Sequence, residues 1–221
     1  MKTLLIATRN AHKVGEIRAI LGDQFQFLTL NDFPGAPAVV EDAETFAGNA
    51  TKKAAELAQW LVVNDPKLKI KNLKSDFVLA DDSGLEVDAL HGAPGVFSAR
   101  FSLMHPPVAG PPLPVDEANN RLLLERMRGV EIRTARFVCA IALADGGQLR
   151  GVWRGAVEGI ILDEPRGAGG FGYDPLFFSP QVGCTFGEAS DDRKFAVSHR
   201  GQALRAMLEG AFSDRRTAFS S

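Results

Sequence analysis

The sequence predicts a mixed α/β fold, a central sheet with helices flanking it, and three observations predict it. Short apolar runs at residues 4–7, 25–30 and 77–80 alternate early in the chain with stretches whose apolar residues recur every three or four positions, the signatures of buried strands and of helices with one buried face. Two longer strand-like runs come late, at 136–143 and 149–161, joined through Asp145-Gly146-Gly147, a hairpin signal. The 221 residues, 45% hydrophobic and 24% charged, suffice for one sizeable core. Strands alternating with helices and then a hairpin suggest one mixed unit over residues 1–221 with a central cleft.

Each element follows in order. Residues 4–7 have no polar face and end at Thr8-Arg9-Asn10. Asn10 is an N-cap residue type, and Val14, Ile17, Arg18 and Leu21 follow at helical spacing until Gly22. Residues 25–30 read as a second strand and Pro34-Gly35-Ala36-Pro37 as a loop. Phe46, Ala50, Ala54, Leu57, Ala58 and Leu61 mark a long amphipathic helix, its start crowded by Asp42, Glu44 and Thr45. The lysine-rich stretch 64–74, with Pro66, reads as a solvated excursion. The apolar run 77–80 reads as a buried strand that ends at Asp81-Asp82-Ser83-Gly84. Five prolines in residues 106–114 predict an extended surface loop. A helix over 115–128 follows, with Ala118, Leu122, Leu123 and Met127 on its apolar face. After the hairpin come a glycine-rich loop over 167–174, a short strand over 176–178 and a closing helix containing Ala203, Leu204, Ala206, Met207 and Leu208.

Composition excludes several function classes. With 25 Lys plus Arg against 27 Asp plus Glu, the net charge is −2, too balanced for a broad, salt-dependent grip on nucleic acid, though a local anion site remains open. Two cysteines, Cys139 and Cys184, cannot build a disulfide framework and suit a reducing compartment. No apolar run approaches the roughly 18 residues of a membrane span, and residues 1–3 carry no cleavage pattern. The expectation is a soluble cytoplasmic protein with no membrane and no stable nucleic-acid partner. Glycine is the outlier: 22 residues, nine of them between positions 146 and 172. Such clustering points to tight turns or close backbone approach to a ligand.

Four polar groupings carry chemistry. Thr8-Arg9-Asn10-Ala11-His12-Lys13 stands where a helix leaves a strand, so helix dipole, amides and basic side chains favour a phosphate there; an ordinary capped helix with surface basics is the alternative. Asp81-Asp82-Ser83 pairs two carboxylates that can bind Mg²⁺ or hold a nucleophilic water, with Glu41, Asp42 and Glu44 as further oxygen ligands; a turn closed by Asp82 or Ser83 is the alternative. Gly169-Gly170-Phe171-Gly172-Tyr173-Asp174-Pro175 sets two aromatics, suited to stacking on a nucleobase, beside an acid that can accept from a base or sugar; a purely structural turn is the alternative. Lys194 and Ser198-His199-Arg200 precede the last helix, again an anion-friendly place able to present donors to a base edge. A Ser83 and His199 hydrolase pair is disfavoured, because the chain has no Gly-x-Ser-x-Gly elbow and Ser83 follows two acids.

In this order the groupings resemble the inosine/xanthosine triphosphate pyrophosphatase family, which hydrolyses nonstandard purine nucleoside triphosphates. The resemblance runs nearly the whole length. It rests on Thr8-x-Asn10-x-x-Lys13, Thr45-Phe46-x-x-Asn49-Ala50-x-x-Lys53-Ala54, Ala80-Asp81-Asp82-Ser83-Gly84-Leu85, Gly92-Ala93-Pro94-Gly95-x-x-Ser98-Ala99-Arg100, the 169–175 loop and Ser198-His199-Arg200. Position 9 departs from the pattern, with Arg where the family frequently has Gly.

The resemblance implies a two-lobed α/β fold, with the nucleotide in the cleft between the lobes, and a homodimer. By position it implies that residues 8–13 and Lys53 hold the triphosphate. Asp82 would be the proton acceptor and a Mg²⁺ ligand, with Glu41 completing the metal site, and Ser83 would touch substrate. Phe171, Gly172, Tyr173, Asp174, Lys194, His199 and Arg200 would contact the nucleotide and its base. Mg²⁺ and the nearby basic groups are expected to keep the Asp82 pKa low. Donors from His199 or Arg200 would suit the 6-keto group of hypoxanthine or xanthine and be left unpaired by adenine. Two competing readings are a triphosphatase releasing orthophosphate and a non-catalytic purine nucleotide sensor.

Overall fold

The computed structural model describes residues 1–64, 76–105 and 112–212. The solvated stretch expected around Pro66 and much of the expected proline-rich loop lie outside these residues.

Strand β1 (Lys2–Ile6) pairs in parallel with β2 (Phe25–Thr29) and with β3 (Phe77–Val87). Beyond β3 the sheet turns antiparallel through β4 (Thr134–Asp145), β5 (Gln148–Ile161), β6 (Phe177–Ser179) and β7 (Cys184–Thr185), giving the order β2-β1-β3-β4-β5-β6-β7. The helices are α1 (Ala11–Leu21), α2 (Phe46–Asn64), α3 (Val115–Arg126), α4 (Asp191–Val197) and α5 (His199–Met207). The sequence did not signal α4, β7 or the 3-10 stretch Gly95–Met104. These pieces are too short to show a period.

Period-two alternation sorts the helices between the two faces. Leu5, Ala7, Val78, Ala80, Ala140 and Ala142 pack with Ala50, Ala54, Leu57 and Ala58 of α2. Leu4, Ile6, Leu79, Cys139 and Ile141 pack on the other face with Ile17 and Leu21 of α1 and Ala203, Leu204 and Met207 of α5. The small Ala side chains along α2 let that helix lie close to the sheet. Each fully buried Leu or Ile in these layers contributes roughly 2 kcal/mol relative to exposure. A third cluster surrounds the far ends of β3 to β5 and joins Leu123 and Met127 to Tyr173, Leu176, Phe177 and Phe186.

One strand is longer than the sequence expectation, and the site depends on it. Instead of ending at residue 80, β3 continues to Val87, its ladder with β4 running unbroken from Val78↔Ala144 to Val87↔Ala135. Asp-Asp-Ser-Gly is a poor strand sequence by propensity. Tertiary pairing overrides it: β4 satisfies the backbone on one edge, and the acids find cationic partners on both faces. Gly84 lies where a Cβ would come within 2.3 Å of Ser98 Oγ and 2.7 Å of the Gly95 carbonyl, so the 3-10 stretch packs directly on β3. The hairpin between β4 and β5 is as expected, with Gly146 and Gly147 at φ 54° and 81°, values suited to a primed turn.

Candidate active site

A cavity of about 300 Å³ opens where α1, β3, the 3-10 stretch and the glycine loop converge. The β1–α1 turn contributes Thr8, Asn10, His12 and Lys13 to its lining. Lys53 of α2, Glu41 ahead of α2, and Asp82 and Ser83 of β3 join them, as do Phe171, Gly172, Tyr173 and Asp174 of the glycine loop, Lys194 of α4, and His199 and Arg200 of α5. Arg9 and Ala11 are outside the lining. Arg9 is exposed and donates to the Ala36 carbonyl at 3.4 Å. Among the crowded acids before α2, Asp42 pairs with Lys52 at 2.6 Å and Glu44 lies outside the lining, which leaves Glu41.

The start of α1 is already capped. Asn10 Oδ1 accepts from the His12 and Lys13 amides at 2.9 and 3.1 Å. The turn therefore presents side chains and the positive helix end more than free amides.

Because Asp81 and Asp82 are consecutive in a strand, they point to opposite faces. Asp81 lies on the α1/α5 face, 1% exposed. Its Oδ1 accepts from Lys13 Nζ at 2.5 Å and from Ser83 Oγ at 3.0 Å. Its Oδ2 accepts from Arg200 Nε at 2.9 Å and from Cys139 Sγ at 3.1 Å. Burial opposes ionisation, but Arg200 and Lys13 outweigh it and hold the Asp81 carboxyl well below the usual range. Asp81 is thus committed to organising cations, and the two acids do not form one paired site.

Asp82 faces α2, where Lys53 Nζ stands 3.5 Å from its Oδ1, 3.2 Å from Glu41 Oε1 and 2.8 Å from the Asp81 carbonyl. Among the described residues Asp82 Oδ2 and Asn49 Nδ2 are buried without a hydrogen-bond partner. Burial raises the Asp82 pKa, outweighing Lys53, Lys13 and the nearby Asn49 amide, while Glu41 adds to the rise. The protein's own groups thus act toward a higher pKa, because a carboxyl so enclosed loses more hydration than the neighbouring ammonium groups restore; the expected low value rested also on Mg²⁺.

A second charged network lies beneath the glycine loop. Glu16, buried on α1, receives Lys194 Nζ at 2.7 Å and Arg200 Nη1. Lys194 also reaches Asp174 Oδ2 at 2.7 Å, and Arg200 Nη2 donates to Ser83 Oγ at 2.8 Å. Burial opposes the Glu16 charge, and Arg200 and Lys194 outweigh it, lowering its pKa. For Asp174 burial prevails over Lys194, and its pKa rises. Gly170 has φ 70°, and a Cβ there would meet Asp174 Oδ2 at 2.1 Å. The same carboxyl accepts from the Phe171 amide at 2.8 Å, so Asp174 shapes the loop as well as lining the cavity.

The two aromatics expected to stack have different roles. Phe171 is partly exposed; His12 stacks on it at 5.2 Å and 14°, with Lys194 Nζ 5.2 Å from its centroid. Tyr173 is buried and donates its hydroxyl to the Ser98 carbonyl at 2.9 Å, so it braces the loop against the 3-10 stretch rather than offering an open ring. Asn120 and Asp116 of α3 hold Gly172 from the other side. His199 is buried and stacked on Phe137 at 4.9 Å, and its Nδ1 has no partner among the described residues. Burial, then repulsion by Arg200 and Lys194, keeps its pKa well below the ordinary histidine value.

The sequence reading missed Glu16 and Phe137, and it quoted Asn49 and Arg100 within motifs without giving either a role. Glu16 had a legible signal, a charge adjoining Ile17 on the buried side of α1. Phe137 had none, since an aromatic in a long strand reads simply as core.

Glu41 and Asp82 are the oxygen donors suited to a divalent cation. Two carboxyl groups converge on one ammonium, and one of the carboxyl oxygens is buried without a hydrogen-bond partner among the described residues. Among the described residues no group of three His, Cys, Asp or Glu gathers as a metal site. Two protein carboxylates with the remaining ligands from water and phosphate is a set that Mg²⁺ accepts.

The chain is similar to proteins of known family. The profile of the Ham1 family matches residues 4–210. A Geobacter sulfurreducens protein named dITP/XTP pyrophosphatase is 48% identical over 212 residues, which span 95% of this chain and 96% of that one. An Exiguobacterium protein of the same name is 48% identical over 205 residues, 92% of this chain and 94% of its own. Among solved structures, the Staphylococcus aureus Ham1 protein superposes with a TM-score of 0.75 at 34% identity, covering 95% of this chain and 99% of that one. A Coxiella burnetii HAM1 protein gives 0.74 at 35% identity, with 94% and 96% covered.

Proposed function

The chain belongs to the Ham1 family, and from that premise we propose that it is a nucleoside triphosphate pyrophosphatase. It hydrolyses nonstandard purine nucleoside triphosphates, those of inosine, deoxyinosine and xanthosine, to the monophosphate and pyrophosphate, and so clears them from the nucleotide pool. The observation that carries this reading is the division of labour across β3. Asp82 stands with Lys53 and Glu41 on one face, while Asp81 aligns Lys13 and Arg200 on the other, at the cavity that also takes in Phe171 and His199.

In this reading Asp82, once ionised, orients a water and accepts its proton as the water oxygen attacks the α-phosphorus and the bond to the β-phosphate oxygen breaks. Thr8, Asn10, Lys13 and Lys53 hold the departing pyrophosphate and offset its charge. Glu41 and Asp82 would hold Mg²⁺, which when bound supplies further neutralisation of the phosphate charge. At the other end Arg200 uses three of its N–H groups on Asp81, Glu16 and Ser83. The others in the guanidinium, with His199 Nδ1, are polar groups without a partner among the described residues and suit a 6-keto base edge.

The test is a nucleotide panel with phosphate and pyrophosphate measured separately, run on the wild type and on Asp82→Asn. Pyrophosphate from inosine and xanthosine triphosphates is expected, with turnover falling about 10²-fold or more in the variant. Orthophosphate as the primary product, or near-wild-type turnover by Asp82→Asn, would remove the reading. A cytoplasmic homodimer belongs to the same proposal, and the exposed Phe97, Leu103 and Met104 are the kind of surface a second copy covers. A monomer in sedimentation velocity would contradict that part. None of the described helices is long and apolar enough to cross a membrane.

A further inference from the structure

We infer that Arg100 is a further phosphate-contacting residue of this site, the guanidinium that meets the triphosphate with charge not already neutralised by the protein. The inference rests on the pyrophosphatase reading for the identity of the ligand, and on charge pairing for the residue.

Besides Arg100, the lysines and arginines lining the cavity are Lys13, Lys53, Lys194 and Arg200. Every one of those four stands within salt-bridge distance of a carboxyl group. Their partners are five carboxyl groups, Glu16, Glu41, Asp81, Asp82 and Asp174, so each of the four cations is shared between a carboxyl group of the protein and an incoming polyanion. Arg100 makes no such pair among the described residues. It donates from Nη2 to the Glu41 backbone carbonyl at 3.3 Å, and its guanidinium carbon lies 5.3 Å from the Phe97 ring centroid.

Its position is held from both sides. Two residues earlier, Ser98 Oγ accepts from the Leu85 amide at 2.9 Å and donates to the Gly95 carbonyl at 2.6 Å, pinning the stretch to β3. At Arg100 the backbone leaves helical geometry, with φ −132° and ψ 22°. Glu41, whose carbonyl anchors the guanidinium, also presents its carboxylate to Lys53 beside Asp82. A guanidinium with most of its forked donors unused among the described residues, beside the acids that orient water and cation, is suited to bidentate contact with phosphate oxygens.

The test uses the full chain as wild type, Arg100→Gln and Arg100→Lys. Calorimetry measures binding of inorganic pyrophosphate in Mg²⁺ and, separately, of inosine, which carries no phosphate. Arg100→Gln is expected to weaken pyrophosphate by about 10- to 100-fold, the loss of a charge-assisted hydrogen-bonded contact, and to leave inosine binding and the melting temperature unchanged. Arg100→Lys, which keeps charge but loses the fork, should fall between. Pyrophosphate affinity within twofold of wild type in a folded Arg100→Gln would overturn the inference, as would equal weakening of pyrophosphate and inosine. If Arg100→Gln does not fold, wild-type affinity in Arg100→Lys would overturn it equally. A wild type that binds pyrophosphate through Arg100 yet releases none from inosine triphosphate would sink the pyrophosphatase reading alone.

Discussion

His199 shows how tertiary burial decides what a side chain does. Its imidazole is enclosed, stacked on Phe137 and faced by the charges of Arg200 and Lys194, so the native protein holds it neutral. In the unfolded chain the same group takes a proton near pH 6.5. Below that pH the unfolded state binds a proton that the native state refuses, so this residue's effect is a loss of stability as pH falls from about 6.5 toward the depressed native value. Asp82 and Asp174, whose native pKa values are raised, act in the opposite sense as pH falls further. Comparison with a variant separates the contributions. Between pH 7.5 and 5.5 the urea-derived stability of the wild type should fall by about 1 kcal/mol more than that of His199→Phe; equal losses would mean that His199 is protonated in the native state. Position 199 was legible in the sequence as a candidate, but its neutrality was not, because that depends on neighbours brought from β4 and α4.

At the scale of elements, β3 and α5 carry the site. The sequence signalled where β3 begins, and its two acids, but not that the strand runs through them. Once it does, alternation alone sends Asp81 to α1 and α5 and Asp82 to α2. The closeness of α5 to β5 depends on Gly155, where a Cβ would meet the His199 carbonyl at 2.0 Å and the Ala203 amide nitrogen at 2.6 Å. Both are backbone atoms and cannot rotate away. Gly155→Ala should therefore push the first turn of α5, with His199 and Arg200, off the sheet. The expected cost is about 1–3 kcal/mol in denaturant unfolding, the usual range for overpacking, with a rise in KM for inosine triphosphate. An unchanged KM and midpoint would show that the helix can shift without disturbing the cavity. Nothing in the local sequence marks Gly155 as different from the neighbouring strand glycines, since the contact is with residues more than forty positions away.

Across the whole molecule, Glu16 ties the two ends of the chain together. It sits on the first helix and binds Lys194 and Arg200 of the last two, and those two reach Asp174 in the glycine loop and Asp81 in β3. Removing one member of a buried ionic network strands the others without their counter-charge. Glu16→Gln should cost about 3–5 kcal/mol in equilibrium unfolding; a loss under about 1 kcal/mol would mean that water or a shifted side chain replaces the carboxylate. By itself the sequence determined the α/β class, the strand-to-helix order, the hairpin, the N-cap at Asn10 and the groupings that line the cavity, because periodicity, turn chemistry and capping are local properties of the chain. Only the tertiary structure decided which acid faces which cation, that Tyr173 is a brace, that burial works against the Asp82 charge, and that Arg100 stands without a carboxylate partner among the described residues. Those outcomes depend on burial and on charges distant in sequence, and both are defined only once the sheet has brought its two faces against different helices.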